Sequence, residues 1–479
     1  MHMKSKVAEI AAQMHRYAFS RSRFIILICS ALLSVGLQIG ATAQARAQIS
    51  DTLRLTLEET VESAISGNPD VLLAQLSVKR ANSQLRAVNG GFLPQVGIDG
   101  QYTRNLKRPV FFLPAGSNFP GAGGGGSEGV TVIEAGSDNS YQLAAQANVP
   151  IYSRELILNS RAAKTAVNVN ERGLDISRND IRMQVKKAYY DVLLAQESLK
   201  VLQQSLQNAQ RNFENTRNQF AQELVPQYDV IRSEVQVENI RPDILQAENS
   251  LEAATSNLKL LANIPDEIPV VLVQTLQEFL NSSNTELLTS FGVENNPSLK
   301  QLDVQEMLQE QQVQVQQSSY FPSVSAFGNY AYQSQANNFN FREYLWVRTS
   351  GVGLQLSVPV FQGFVRSRQI EQAKLDLEQV QIQKQYMSKS LTIQAKNALN
   401  RVKRARAALA AQEKNIAQAQ KGFEIAQVSY RSGVGTFIDA NDAELALTQS
   451  RLSYLEVVYE YLNAIADFEQ LTGGNGTGN

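Results

Sequence analysis

Two stretches of this chain carry apolar residues in strict steps of four and three, and no other feature restricts the fold so severely. The first runs Ile181, Val185, Ala188, Val192, Ala195, Leu199, Leu202, Leu206, Ala209, Phe213, Thr216, Phe220. The second runs Leu391, Ala395, Ala398, Val402, Ala405, Leu409, Gln412, Ile416, Ala419, Phe423, Ala426, Tyr430, in the same register. A repeat of 3.5 rather than 3.6 residues per turn predicts left-handed supercoiling against neighbouring helices. Ala alternating with Leu, Val or Phe along the seam allows close, regular packing. A helix over 153–222 would be about 100 Å long at 1.5 Å per residue. No globular domain needs such a helix, whereas a tube does. Two helices per stretch cannot bury such seams on both sides, so neighbours are expected from other chains.

The two seams belong to a tandem repeat. Asn68-Pro69 and Asn296-Pro297 each open a helical segment, ending at Gly91-Phe92-Leu93-Pro94 and at Ser319-Tyr320-Phe321-Pro322. VPIY at 149–152 recurs as VPVF at 358–361, each before a long helix. Phe220 and Asp229 match Tyr430 and Asp439. Each repeat reads helix, strand, loop, strand, very long helix, turn, shorter helix. The expected boundaries are a first repeat at 48–264, a linker with a mixed belt at 265–295, a second repeat at 296–471 and a disordered tail at 472–479.

Four runs alternate at period two, the signature of strands with one apolar face. Val96, Ile98, Gly100 and Tyr102 form one; Tyr141, Leu143, Ala145, Ala147 and Val149 another. Val324, Ala326, Gly328, Tyr330 and Tyr332 form the third, with Phe327 out of phase, and Val352, Leu354, Leu356, Val358 and Val360 the fourth. Each is about ten residues, the length that crosses a bilayer when tilted. Val96, Ile98, Tyr102, Leu143, Tyr330, Leu354 and Leu356 are the candidate lipid-facing residues. Four strands cannot close a barrel, and lipid does not tolerate an open edge. Two chains would supply eight strands and three would supply twelve. The loop at 107–139, with GAGGGGSEG, is expected to be flexible; that at 336–346 is shorter and aromatic.

The first 47 residues read as a secretory leader: basic residues, an apolar run from Phe24, then Ala-x-Ala at Ala41-Thr42-Ala43 and again at Ala45-Arg46-Ala47, two cleavage sites of which the second is favoured. The only cysteine, Cys29, and both histidines, His2 and His15, lie within it. The processed chain would then lack thiol nucleophiles, Ser-His triads and nearly every zinc, copper or iron site. Only carboxylate chemistry of the glycosidase kind stays formally open. An enzyme is not expected, and no cofactor is called for. The net charge of −1 points to no nucleic acid.

FLPQVGIDGQY at 92–102, FPSVSAFGNYAYQ at 321–333, VPVFQGFVRSRQIEQA at 358–373 and YRSGVGTFIDANDA at 430–443 resemble the TolC family of outer-membrane efflux and export factors over nearly the whole chain. The resemblance implies a mostly α, α+β fold. Each chain would build one third of a homotrimer with a 12-stranded outer-membrane β-barrel and a 12-helix periplasmic α-barrel. It implies a passive channel of a tripartite efflux system, working with a periplasmic adaptor and an inner-membrane pump on small toxic compounds. The outer duct of a type I protein secretion system, fed by an ABC exporter, is the close alternative. A periplasmic coiled coil without a pore is the alternative of another class.

By the same resemblance, carboxylates beside the periplasmic turn line the narrowest point. Asp439 and Asp442 match in the second repeat, Asp229 in the first. Asp in the first turn of a helix also serves capping and the helix dipole. Leu224, Val225, Gly433, Val434 and Gly435 at the tips are candidates for adaptor docking, and for plain turn chemistry. A basic residue that ties neighbouring helices shut in relatives would fall at Gly435. The first turn, AQELVPQYD at 221–229, has Pro226 and no glycine, so the two turns are expected to differ in conformation.

Overall fold

The structure is a computed structural model that describes residues 52–114, 130–282 and 292–473. The leader, the glycine-rich centre of the first loop, residues 283–291 of the linker and the tail from 474 lie outside the described residues. The chain divides into a small unit around Arg54 and Glu267–Val271 and a large unit of Leu55–Asp266 and Leu272–Asn479. The short strands β1 (Leu53–Leu55) and β6 (Val270–Leu272) pair.

The large unit is the tandem repeat. Its first half contains α1 (Leu57–Gly67), α2 (Pro69–Gly90), β2 (Gln95–Arg104), β5 (Asn139–Tyr152), α3 (Arg154–Ala221) and α4 (Gln227–Leu261). A short α5 (Leu276–Ser282) follows. The second half is α6 (Pro297–Ser318), β7 (Ser323–Ala336), β8 (Val347–Ser357), α7 (Val365–Arg431) and α8 (Phe437–Thr472). At 68 and 67 residues, α3 and α7 are each about 100 Å long.

The Asn-Pro pairs start their helices for a local reason. The Asn68 side chain accepts from Asp70 N, and that of Asn296 from Ser298 N, both at 2.9 Å. Pro occupies the first helical turn, where its missing N–H costs nothing. The same side chains also tie the repeat together. Asn68 Nδ2 donates to Leu261 O at the end of α4 (3.1 Å), and Asn296 Nδ2 to Leu471 O at the end of α8 (3.0 Å).

The 3.5-residue seams are the packed faces. Of the residues named in the two series, only Phe220 is exposed. Along them α3 packs on α4 and α7 on α8, while α3 also meets α2, α6 and α8. Polar ties fix the register. Asp467 on α8 joins Lys187 on α3 to Arg401 on α7 (3.0 Å). Lys384 on α7 sits 2.8 Å from both Asp303 and Glu306 on α6, which pushes its ammonium up to about 12. Among the described residues, no helix is long and apolar enough to cross a membrane.

The four long strands form one antiparallel sheet in the order β2-β5-β7-β8. Two features depart from the sequence-based expectation. The first loop is not wholly irregular: VFFLP (β3, Val110–Pro114) and VTVIE (β4, Val130–Glu134) pair as a hairpin. Both segments are rich in β-branched or aromatic residues, a signal that the neighbouring glycines overshadowed. The second departure is an asymmetry between repeats. VPIY completes β5, whereas VPVF lies outside any strand, and α7 starts only after Gly363 and Phe364, both at positive φ.

Candidate functional site: an apolar sheet face and a paired helical tip

Register decides which side chains share a face of the sheet, because directly opposed residues point the same way. Val96 and Ile98 oppose Ala147 and Ala145, which oppose Gly328 and Tyr330; Gly328 opposes Val352. Tyr102 opposes Tyr141, Leu143 opposes Tyr332, and Leu354 and Leu356 oppose Ala326 and Val324. All seven candidate lipid-facing residues therefore stand on one face. Each is exposed, Val96 and Ile98 at 73% and Leu354 at 71%. The opposite face is amide- and hydroxyl-rich, with Gln95, Gln101, Gln142, Gln146, Asn329 and Gln355 among its residues. Its one ionisable group is Asp99, which accepts from Gln146 Nε2.

Phe327, the aromatic on this polar face, opposes Gly353 in the ladder. Its ring fills the space a side chain there would take, 2.8 Å from where a Cβ would stand. An aromatic ring thus covers a strand glycine.

At the loop end of the apolar face, rings gather. Tyr102 stacks on Tyr141 (5.0 Å between centroids) and Tyr332 on Trp346 (4.9 Å). Phe341 and Tyr344, from the 336–346 loop, close on Tyr141. At the helix end, the Arg154 guanidinium lies 3.9 Å over the Phe321 ring.

Far from the sheet, the turns after α3 and α7 sit side by side, because Tyr430 Oη contacts Thr216 Oγ1 (3.0 Å) and donates to Gln219 Oε1 (3.3 Å). The turns have the same conformation, contrary to expectation. Glu223 takes φ 60° where Gly433 takes 76°. Leu224 N donates to Gln219 O and Val434 N to Ser429 O, both at 3.0 Å. The C-terminal hydrogen bonds of the long helix outweigh the left-handed penalty of about 1–2 kcal/mol that a non-glycine residue bears. Pro226 and Thr436 then occupy equivalent cap positions, Val225 matches Gly435, and Asp229 matches Asp439.

Leu224 and Val434 protrude at these tips, at 69% and 86% exposure. Val225 and Gly435 are half-buried and Gly433 is exposed. Asp439 completes a capping box: its Oδ2 accepts from Thr436 N (3.1 Å) and Thr436 Oγ1 (2.6 Å). Those bonds hold its carboxyl below the ordinary value, and the side chain remains exposed. Asp442, one turn on, is exposed, and Asp229 is half-buried. The capping role anticipated for Asp439 is therefore present, and it leaves the charge facing solvent.

Five residues beyond Asp439, Glu444 on α8 is only 4% exposed. Its Oε2 accepts from Asn212 Nδ2 of α3 (3.1 Å), and its Oε1 is buried without a partner. Burial pushes this carboxyl up to about 7 against the weaker pull of Asn208, Arg211 and Asn212. Sequence pattern did not single it out, since a Glu in a polar helix gives no sign of burial.

The sequence profile described as "Outer membrane efflux protein" matches residues 60–263 and 292–474. The outer membrane protein TolC of Vibrio cholerae serotype O1 is 22% identical over 87% of this chain and 90% of its own length. The alkaline protease secretion protein AprF of Pseudomonas aeruginosa is 21% identical over 68% of each. Crystal structures of CusC share the fold, with a TM-score of 0.68 at 17% identity, covering 90% of this chain and 96% of that one.

Proposed function

The chain belongs to the outer membrane efflux protein family, a family of outer-membrane channels rather than enzymes, and from that premise we propose how its parts assemble and what passes through them. Three copies close a 12-stranded barrel and a 12-helix tube. The observation that carries this is the four-stranded sheet with one mainly apolar face, one amide-rich face and two free edges, β2 and β8. An edge of unpaired N–H and C=O groups is not stable in lipid, so the next copy must pair it. The exposed apolar seam Leu375, Ile382, Tyr386, Ile393 on α7, in steps of seven and four, supports the same reading for the helices. It is a second 3.5-residue stripe without cover inside one protomer.

The apolar face, with Val96, Ile98, Tyr102, Leu143, Tyr330, Leu354 and Leu356, meets lipid, and the amide-rich face lines the water-filled lumen. The tips bearing Leu224, Val225, Gly433, Val434 and Gly435 lie in the periplasm and dock the adaptor. Asp439, Asp442 and Asp229 ring the entrance and favour cations in a constriction of low dielectric. Transport is passive, and small toxic compounds are supplied by an inner-membrane pump. The kinship to AprF keeps a protein-secretion duct as the second reading, because the cargo is chosen upstream of this chain.

Single-channel conductance of the purified protein in a planar bilayer, with its oligomeric mass measured alongside, tests the proposal. Discrete, mostly closed, cation-preferring channels from a trimer are expected. A soluble protein that never inserts would overturn it in favour of a coiled coil without a pore.

A further inference from the structure

The apolar face of the sheet carries two charged side chains among the described residues, Arg104 on β2 and Arg348 on β8. Both sit at its loop end, the end away from the long helices. Arg104 opposes Asn139 in the ladder and Arg348 opposes Tyr332. Toward the loop end they lie beyond the last strongly apolar positions of their strands, Ile98 and Val352, near the stacked rings of Tyr102, Tyr141, Tyr332 and Trp346. A belt of Tyr and Trp marks the depth where hydrocarbon gives way to headgroups.

Among the described residues neither arginine is in an ion pair. Arg104 donates one N–H to Asn139 Oδ1 (3.2 Å) and lies 5.7 Å from the Phe339 ring. The nearby Asp138 pairs with Arg108 at 2.8 Å and feels the Arg104 charge only at longer range. Arg348 lies 5.7 Å from the Tyr332 ring and forms no ion pair among the described residues. Both are exposed. Each guanidinium thus lies beside an aromatic ring on an exposed side chain, and most of its five donors have no protein acceptor among the described residues. That fork matches the oxygens of a phosphate better than any neutral headgroup.

We infer that Arg104 and Arg348 bind phosphate groups of outer-leaflet lipid, fixing the depth of the barrel through charge where the aromatic belt fixes it through packing. The inference rests on the barrel reading above, which sets this face against lipid and its loop end outward. β2 and β8 are the two edges of the sheet, so closure sets Arg348 of one copy on the strand beside that of Arg104 in the next. The trimer therefore presents three basic seams rather than six isolated charges.

The test uses the purified full-length protein in neutral detergent and measures retained lipid by native mass spectrometry. The probes are diphosphorylated lipid A and the same lipid with its phosphates removed. Wild type is expected to retain the phosphorylated form about tenfold better, less so as salt rises, and Arg104→Gln/Arg348→Gln to lose that preference. Equal retention of the two lipids by wild type, which needs no variant, would overturn the inference. So would an unchanged preference in the double variant, or full competition by millimolar inorganic phosphate, which would point to a soluble anion. Conductance in the same preparations separates the two levels. Channels that insert without lipid preference sink only the lipid site, whereas failure to insert sinks the barrel.

Discussion

Glu444 gives the sharpest test of the helical packing, because its burial converts directly into a pH dependence. Its carboxyl ionises near pH 7 in the fold, against an ordinary 4.5, with burial as the chief cause. Arg211 of α3 is the charged group that opposes the rise, together with the Asn208 amide and with Asn212, which donates to the carboxylate at 3.1 Å. Below pH 4.5 both the folded and unfolded chains hold the proton, and the site carries no penalty. Between 4.5 and 7 the unfolded chain ionises first, so stability falls as pH rises. Above 7 both are ionised and the loss is complete. At about 1.36 kcal/mol for each pH unit between the two values, it reaches about 3 kcal/mol per protomer. Glu444→Gln imitates the protonated acid and removes the dependence. Thermal unfolding followed by helical circular dichroism at pH 5, 6, 7 and 8 reads it, at one scan rate. Wild type is expected to lose stability across that range while the variant changes much less, so that the variant is the more stable at pH 8 and close to wild type at pH 5. Parallel curves for the two proteins would refute the reasoning, since the buried, half-satisfied carboxylate would then cost nothing.

The turns after α3 and α7 offer a reciprocal test of their shared conformation. Glu223→Gly should stabilise the protein by about 1 kcal/mol per protomer, and Gly433→Ala, which meets no atom within 4 Å, should destabilise it by a similar amount through backbone conformation alone. Denaturant midpoints of the two variants moving in the same direction would contradict the equivalence. At the entrance, Asp439→Asn should weaken block by multivalent cations added from the periplasmic side while leaving the helix start capped. Because the Thr436 bonds hold this carboxyl below its ordinary value, wild-type block should persist at pH 5, where ordinary carboxylates still carry most of their charge, and fade only well below it. Block in Asp439→Asn equal to wild type would remove Asp439 from the pore.

What could be read from the sequence was whatever repeats along one element. The seams of α3 and α7 appear as 3.5-residue series because each position meets the same kind of neighbour, and the strands appear as alternation because each side of a sheet has one solvent. The Asn-Pro pairs were visible as landmarks, though their second bond, to carbonyls some 175–193 residues away, was not. Interactions made once, between elements, left no periodic trace. Glu444 is polar in a polar helix, and only the approach of α3 buries it. Phe327 looked like an error in an alternating strand until Gly353 was set opposite it.

The turns show the converse, where a local rule read too literally led astray. Glycine favours the left-handed region, so its absence from 221–229 argued for a different bend. Yet the preference is worth only about 1–2 kcal/mol, against carbonyls at the end of a 68-residue helix that need partners and a neighbouring tip that holds the same shape. Glu223 therefore adopts the conformation that Gly433 adopts freely. The internal twofold likeness of the tip is thus imposed by helix ends and the Tyr430 contacts with Thr216 and Gln219, and not by identical residues. A tip built this way can keep its shape while the side chains it displays, Leu224 and Val225 in one repeat and Val434 and Gly435 in the other, differ. In the proposed trimer one scaffold would then present two chemically distinct surfaces in alternation, and an adaptor docked there as proposed would meet different side chains on the two repeats.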